Sequence, residues 1–336
     1  MKQVYHGIFL IEEKGIFRPS DNIFIIAGKD GIIFDAGYGN KRSVRQFLKK
    51  YKLIENHYKK QKIKFRITRI IVSHAHSDHF SGLNEISNAL GLKIILTKNI
   101  ADKIRDKISF NKSFQVNDYE DNLRLNKSVI RRIWRILRNW GEQTVYKRIF
   151  GISYLNKPDE IIEENSVIWI NGEEWSIFAS PGHSPDHISL YNEEKGVLFS
   201  GDNVLNMRST WLGPPESNID EYLATIQRFQ KLPKLELILP AHGDIIENPK
   251  DTLTAILERM KEREDQIINM LKRHSEDGLS PEQLTKIIYP KERKFIRIIA
   301  RDWIVLTLKK LEKEGSIERK IMRKKILFLP VEDKNE

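Results

Sequence analysis

The run His74-Ala75-His76-Ser77-Asp78-His79 places three histidines and an aspartate within six residues. It follows Ile67 to Val72, an apolar and largely β-branched run that predicts a buried strand. Where a strand ends in a turn, alternate side chains can point to different sides of one pocket. His74 and His76 can then share one metal ion, while Asp78 and His79 face another.

Three later segments repeat this arrangement of an apolar strand followed by a turn with a metal-binding side chain. Together with the first run they hold six of the nine histidines, so an ordinary surface turn is the weaker interpretation. We expect the four strand ends to converge on one rim. The segments are Ser180–His187, which contains His183, Phe199-Ser200-Gly201-Asp202, and Leu239-Pro240-Ala241-His242.

The chain has no cysteine. This excludes disulfides, thiolate metal sites, iron–sulfur clusters and cysteine nucleophiles, and it leaves any metal to imidazole and carboxylate ligands. Such ligands favour zinc, although they also suit iron and manganese. The sequence therefore predicts two zinc ions as cofactors, with iron or manganese as the alternatives.

The whole pattern resembles the metallo-β-lactamase superfamily, whose motif is HxHxDH, then a His in a PGH(S/T) turn, an Asp after a glycine, and a His near the end of the domain. The resemblance covers about residues 1–250. It implies an α/β protein with a four-layer αββα sandwich. It also implies one metal on His74, His76 and His183, a second on Asp78, His79 and His242, and Asp202 bridging the two.

Other residues gain a role from this resemblance. Asp35 matches an Asp-x-Gly turn whose aspartate steers the metal loop, since a ligating histidine needs its other nitrogen held; an ordinary turn aspartate is the alternative. A water between two divalent ions has its pKa lowered to about 7, so hydroxide becomes available. Asp78 is the candidate catalytic residue that orients this hydroxide. His187 either contacts the substrate or merely begins a strand.

The length of 336 residues, 40% of them hydrophobic, allows one large domain and a small one. Residues 1–250 would form the catalytic domain, with a helical insert at 98–165 that is longer than a simple connection and could act as a lid. A connecting helix follows at 251–274. Residues 275–336 then have the order helix, helix, two-stranded ribbon, which is the layout of a winged helix.

Positive charge is concentrated in the middle of the chain. The net charge is +11, and residues 98–150 hold 13 Lys and Arg against six Asp and Glu, which indicates an anionic partner or substrate. Residues 126–140 predict an amphipathic helix with an arginine stripe. Its arginines suit the phosphates of a coenzyme A tail or an RNA backbone, and a membrane-surface or simply solvated helix is the alternative. The candidate substrate contacts are Arg131, Arg135 and Arg138.

The role of the C-terminal segment stays open at this point. Ser280 and Gln283 predict a capping box at a helix start. The following helix, at about 294–314, carries basic side chains that would suit nucleic acid. Its apolar side chains need burial, however, so packing within the chain or a homodimer is the alternative.

Nothing in the sequence indicates a membrane or secreted protein. The N-terminal apolar run is too short for a signal peptide, and no later stretch is long enough to span a bilayer. We therefore expect a soluble, cytoplasmic protein without stable membrane insertion.

Glu262-Arg263-Glu264, together with the winged-helix-like tail, resembles the β-lactamase-like protein 2 group, whose catalytic domain is similar to glyoxalase II. We predict a metal-dependent hydrolase in which metal-bound hydroxide attacks a thioester or ester in a small anionic substrate, such as an acyl thioester. The alternatives are an endoribonuclease on single-stranded RNA, a mononuclear iron persulfide dioxygenase, and a non-catalytic protein that binds nucleic acid or acts as a scaffold.

Overall fold

The computed structural model describes residues 1–14, 20–115, 117, 119–124, 150–206, 210–322 and 325–331. Within these residues, two sheets pack face to face. Aromatic side chains fill the space between them: the ring of Phe199 lies 5.2 Å from Phe24, 5.3 Å from Phe34 and 5.7 Å from Trp175. Such large apolar side chains dominate the energetics of a core, and here they hold the two sheets together.

The first sheet has seven strands that neighbour each other in chain order. The first four are antiparallel neighbours, and the fourth to the seventh run parallel. All residues of the third and fourth strands are buried, as expected for strands covered on both faces. The strands are β1 (Lys2–Tyr5), β2 (Ile8–Glu13), β3 (Asp21–Ile26), β4 (Gly31–Phe34), β5 (Ile67–Ile71), β6 (Lys93–Thr97) and β7 (Glu160–Ile162).

The second sheet has five strands. They are β8 (Ser166–Ile170), β9 (Glu173–Ala179), β10 (Ile188–Asn192), β11 (Val197–Gly201) and β12 (Leu237–Pro240). Neighbours are antiparallel except β11 and β12, which run parallel. Because side chains alternate along a strand, Phe199 of β11 faces the first sheet, while Leu198 packs in a separate cluster on the outer side.

Helices cover the outer faces of both sheets. The helix Ile219–Gln230 illustrates why: Ile219, Tyr222, Ile226 and Phe229 recur at helical spacing and are all buried, which gives one apolar face. The helices are α1 (Lys41–Lys60), α2 (Ser77–Phe80), α3 (Leu83–Leu90), α4 (Lys98–Ile104), α5 (Lys107–Ser113), α6 (Ile219–Gln230), α7 (Pro249–Lys272), α8 (Pro281–Ile288) and α9 (Lys294–Lys313). The predicted four-layer α/β sandwich is confirmed.

The C-terminal segment forms the predicted winged helix. The Ser280 hydroxyl accepts a hydrogen bond from the backbone N–H of Gln283, and the Gln283 side-chain oxygen accepts one from the backbone N–H of Ser280. The capping box is therefore present at α8. A ribbon of β13 (Ile317–Met322) and β14 (Lys325–Pro330) follows α9. Phe328 in this ribbon is fully buried and bonds through its backbone to Leu279.

The described parts of α9 favour packing as the role of this domain. Its apolar side chains Trp303, Ile304, Leu308 and Leu311 are buried. Three of its basic side chains also pair within the chain: Arg301 with Glu282, Lys310 with Glu264 and Lys313 with Asp220.

The described residues of the predicted insert at 98–165 contact both domains. Its start forms α4 and α5, and its end supplies β7, which pairs in parallel with β6. Leu123 packs in the hydrophobic cluster of the C-terminal domain, and the Arg301 guanidinium donates to the Asn122 carbonyl at 2.6 Å. The insert therefore connects the two domains. Arg131, Arg135 and Arg138, with the amphipathic helix predicted at 126–140, lie outside the described residues.

None of the helices within the described ranges is both long enough and apolar enough to cross a membrane.

The burial of Leu123 can be tested by truncation. We expect Leu123→Ala to lower the free energy of unfolding by about 2 to 5 kcal/mol, because it opens a cavity between the insert and the C-terminal domain. Leu53→Ala is the control, since that side chain is 50% exposed and its removal should cost less than about 0.5 kcal/mol. Urea denaturation measures both. Equal effects of the two substitutions would contradict the packing described here.

Candidate metal centre

Four strand ends bring the predicted ligands together. β5 leads into the run that starts at His74, β9 precedes His183, β11 ends beside Asp202, and β12 precedes His242. The turn into Asp202 requires glycine, because Gly201 has a φ of +53° and a Cβ atom there would lie 2.3 Å from an imidazole nitrogen. The expected convergence of four strand ends on one rim is confirmed.

The ligands form two sets. In the first set, the potential ligand atoms of His74, His76, His183 and Asp202 lie within 4.8 Å of one another. Nε2 of His183 faces Nδ1 of His76 at 3.0 Å. Two imidazole nitrogens that converge in this way are typical of ligands to one cation.

The second set contains Asp78, His79 and His242, joined by Asp21, again within 4.8 Å. Asp202 lies between the sets. Its Oδ2 is 3.5 Å from Nε2 of His183, and its Oδ1 is 3.4 Å from Nε2 of His242 and 3.6 Å from Nε2 of His79. One carboxylate therefore faces both sets, as the bridging role implied by the sequence resemblance requires.

Each of the five histidines is held by an oxygen on the side away from the centre. The partners of Nδ1 are Ser73 Oγ for His74, Asp35 Oδ2 for His79, the Trp211 carbonyl for His183 and the Ser20 carbonyl for His242, while Nε2 of His76 meets Glu216 Oε2. Such contacts fix the tautomer and orientation of a metal-binding imidazole. Every ring therefore turns its remaining nitrogen towards the centre.

Three buried polar atoms without hydrogen-bond partners indicate that the site fits a pair of metal ions. Nε2 of His74, Nε2 of His79 and Oδ1 of Asp202 are buried and lack a hydrogen-bond partner among the described residues. A buried polar atom without a partner is costly. Because these atoms all point into the same small space, bound cations would satisfy them together.

Asp35 contacts the metal-binding run at two points. Its Oδ1 accepts from the Ser73 amide at 2.7 Å, and its Oδ2 lies 3.3 Å from Nδ1 of His79. It therefore holds both the backbone before His74 and the ring of His79. Asn22 has a comparable place at the other end, because its side-chain amide donates to the carbonyls of Pro240 and Gly243 on either side of His242.

His187 lies behind the ligands and is 1% exposed. The Asp202 amide donates to its Nε2 at 3.1 Å, and its Nδ1 lies 2.9 Å from the Ser180 hydroxyl. Since Nε2 accepts, Nδ1 carries the proton and donates to Ser180. With both nitrogens engaged and β10 beginning at the next residue, this placement favours support of Asp202 over the substrate contact.

Burial and charge separate the pKa values of these groups. Burial lowers the pKa of His183 to about 4 and that of His187 to about 3. Burial also opposes the charged form of His242, but the Asp202 carboxylate outweighs it and raises the pKa of His242 to about 10. The neutral imidazole, which is the metal-binding form, is thus favoured at His183.

Several residues of the centre could not be predicted from the motif. Asp21 Oδ1 lies 3.4 Å from Nδ1 of His242, on the side of that ring away from Asp202. Glu216 contacts His76 from a loop 140 residues away. Aromatic rings flank the first set, with Phe114 centred 5.8 Å and Trp211 6.5 Å from the His76 ring. No local sequence signal marks these residues.

The low pKa of His187 predicts a pH dependence in metal-free protein. Below its unfolded pKa of about 6.5, the unfolded chain binds a proton that the folded chain excludes down to about pH 3. The contribution is therefore complete above pH 6.5 and is lost as the pH falls. Between pH 7.5 and 5, wild type should lose about 2 kcal/mol more stability than His187→Gln. Urea denaturation measures the free energy of unfolding at both pH values. An equal loss in wild type and in His187→Gln would contradict this prediction.

A family model described as the Metallo-beta-lactamase superfamily matches residues 15–242, and one described as the Beta-lactamase associated winged helix domain matches residues 280–323. The chain is 26% identical over 252 residues to the Beta-lactamase-like protein 2 homolog of Caenorhabditis elegans, a match that covers 75% of this chain and 67% of that protein. It is also 26% identical over 252 residues to Acyl-coenzyme A thioesterase MBLAC2 of Homo sapiens, covering 72% and 80%.

A shorter match, 27% identical over 179 residues, is to the Atrochrysone carboxyl ACP thioesterase of Emericella nidulans and covers 52% of this chain and 56% of that protein. Among solved structures, a Beta-lactamase domain protein from Burkholderia ambifaria superposes with a TM-score of 0.74 at 16% identity, over 98% of this chain and 93% of the other. The family match extends over more than half of the chain and includes every predicted metal ligand. The chain belongs to the metallo-β-lactamase superfamily.

Proposed function

We propose that this protein is a dinuclear zinc hydrolase of acyl thioesters. The observation that carries the proposal is the pair of His/Asp sets that share Asp202. Two of the relatives described above are named as thioesterases, one for acyl-coenzyme A and one for an acyl carrier protein substrate. Those names support a thioester over an oxygen ester as the substrate class.

The first ion would be held by His74, His76 and His183 and the second by Asp78, His79 and His242, with Asp202 between them. When bound, two divalent ions supply Lewis acidity that activates water and polarises a carbonyl. Asp78 is the best placed of these residues to orient the attacking water. Its side chain is 21% exposed, against 10% for Asp202 and 1% for His79.

Two aromatic side chains give the acyl group an apolar surface next to the first set. Phe114 follows α5 and is half-buried, and the Trp211 ring, centred 6.2 Å from the His183 ring, belongs to a residue that is 38% exposed. Apolar walls with a few polar groups are typical of small-molecule sites. The arginines Arg131, Arg135 and Arg138 remain our candidates for the phosphates of the thiol portion.

Acyl-thioester turnover tests the proposal directly. Zinc-loaded protein should hydrolyse acyl-coenzyme A, and a thiol reagent can follow the reaction without background because the chain has no cysteine. We expect His76→Ala to lower kcat/KM more than about 100-fold, since a ligand matters at least as much as the residues that hold it. His274→Ala, at an exposed histidine, should retain full activity.

Assays of the same metal-loaded protein on other substrates test the alternative activities. Inactivity on a broad thioester panel, with two zinc ions bound, would reject the thioester proposal. Cleavage of single-stranded RNA that requires Asp202 would replace it with a nuclease, and one bound iron with oxygen uptake on a persulfide would replace it with a dioxygenase.

The apolar surface predicts a dependence on acyl chain length. Phe114→Ala should reduce kcat/KM for a long-chain thioester about tenfold, because an apolar contact of roughly 1.4 kcal/mol is lost. It should change kcat/KM for acetyl-coenzyme A less than about twofold. Ile108→Ala is the matched control on the preceding helix, since Ile108 is 81% exposed. A uniform loss for both substrates would place Phe114 outside the acyl site.

A further inference from the structure

Three charged side chains form a buried cluster behind the first ligand set. Nζ of Lys103, in α4, lies 2.9 Å from Oδ1 of Asp186 and also contacts Oε1 of Glu216. The side chains are only 7%, 3% and 4% exposed, respectively. Charged residues are almost never buried so completely unless they are paired. We call these three residues the buried charge cluster.

The buried charge cluster contacts the metal-binding run at two points. Oε2 of Glu216 lies 3.0 Å from Nε2 of His76, and Oδ2 of Asp186 accepts from the Ala75 amide at 2.7 Å. The first contact fixes a ring and the second fixes the backbone between two ligands. Because Nε2 of His76 donates to Glu216, its Nδ1 has a free electron pair that faces Nε2 of His183.

The charges of the cluster do not cancel. One ammonium faces two carboxylates, so one negative charge remains in a buried place next to His76. Removing a charge from water is costly unless an opposite charge compensates it. A divalent cation held by His76 would provide that compensation through the imidazole.

The two ligand sets differ in the same respect. The first set contains three imidazoles and shares the Asp202 carboxylate, whereas the second set also has the Asp78 carboxylate of its own. A divalent ion in the first set is therefore surrounded by less negative charge from the ligands themselves. Glu216 stands where it can make up this difference.

We propose that Lys103, Asp186 and Glu216 are positioning residues that set the metal affinity of the first site. Glu216 adds negative charge through His76, Asp186 fixes the backbone at Ala75, and Lys103 offsets part of the negative charge of the two carboxylates. The inference rests on the two-metal occupancy of the proposed function, but it is independent of the substrate.

Zinc titration of metal-free protein against a chromophoric chelator tests the inference without any substrate. Glu216→Gln keeps the size of the side chain and removes its charge. We expect it to weaken one of the two zinc sites about 10- to 100-fold, the usual effect of losing the partner of a ligating histidine, and to leave the other site unchanged. Glu264→Gln is the control, because Glu264 also pairs with a lysine, Lys310 at 3.0 Å, and its side chain on α7 is only 17% exposed.

Lys103→Met separates charge from packing. It removes the positive charge and leaves more negative charge near His76, so zinc affinity of the folded protein should be at least that of wild type. A role in packing alone would instead weaken zinc binding in both variants. Circular dichroism checks folding, and if Glu216→Gln does not fold, Glu216→Asp, which keeps the charge but draws it back from His76, should weaken the same site at least threefold.

The outcomes are distinguishable. Fewer than two zinc ions on wild type would overturn the proposed function, and this inference with it. Two ions on wild type with unchanged affinity in Glu216→Gln, or in Glu216→Asp where that variant is used, would overturn the inference alone. A tenfold or larger loss in both Glu216→Gln and Lys103→Met would overturn it as well.

Discussion

Five imidazole rings share one pocket, and the rest of the catalytic domain is arranged around that constraint. The centre of the His74 ring lies 4.1 Å from the centre of the His79 ring, 4.4 Å from that of His76 and 5.0 Å from that of His183. Polar nitrogens this close and this buried are unfavourable without partners. Oxygens hold each ring from behind, so the nitrogens in front are left for cations. Burying these nitrogens lowers the stability of the metal-free fold, and metal binding would restore that stability.

The supports for these rings come from parts of the chain outside the metal motif. The His183 ring donates to the Trp211 carbonyl, and the Trp211 side chain in turn interacts with Asp302 of α9. Trp211 therefore links the winged-helix domain to a metal ligand. The insert contributes Lys103 and Phe114, and Nζ of Lys103 lies 5.0 Å from the centre of the Phe114 ring. Both additions to the sandwich thus contact the metal centre as well as each other.

Much of the fold and of the centre could be predicted from the sequence. The strand before His74, the capping box at Ser280 and the helix–helix–ribbon order are local patterns, and local patterns are set by spacing and by capping chemistry. The metal ligands are also predictable from local patterns, because each of them follows a predicted strand within one turn. His187 lies in the same kind of turn, yet its ring lies behind Asp202. The position of a residue in the sequence does not show in which direction its side chain points at the end of a strand.

The amino-acid sequence limits which side chains can bind metal, because the chain has no cysteine and its histidines cluster after predicted strands. What holds those side chains depends on the tertiary structure. Glu216 meets His76 across 140 residues and Asp186 meets Ala75 across 111, while Lys103 joins the two carboxylates from a helix in the insert. Contacts between residues so far apart depend on how sheets and loops pack, and no spacing in the sequence records that packing.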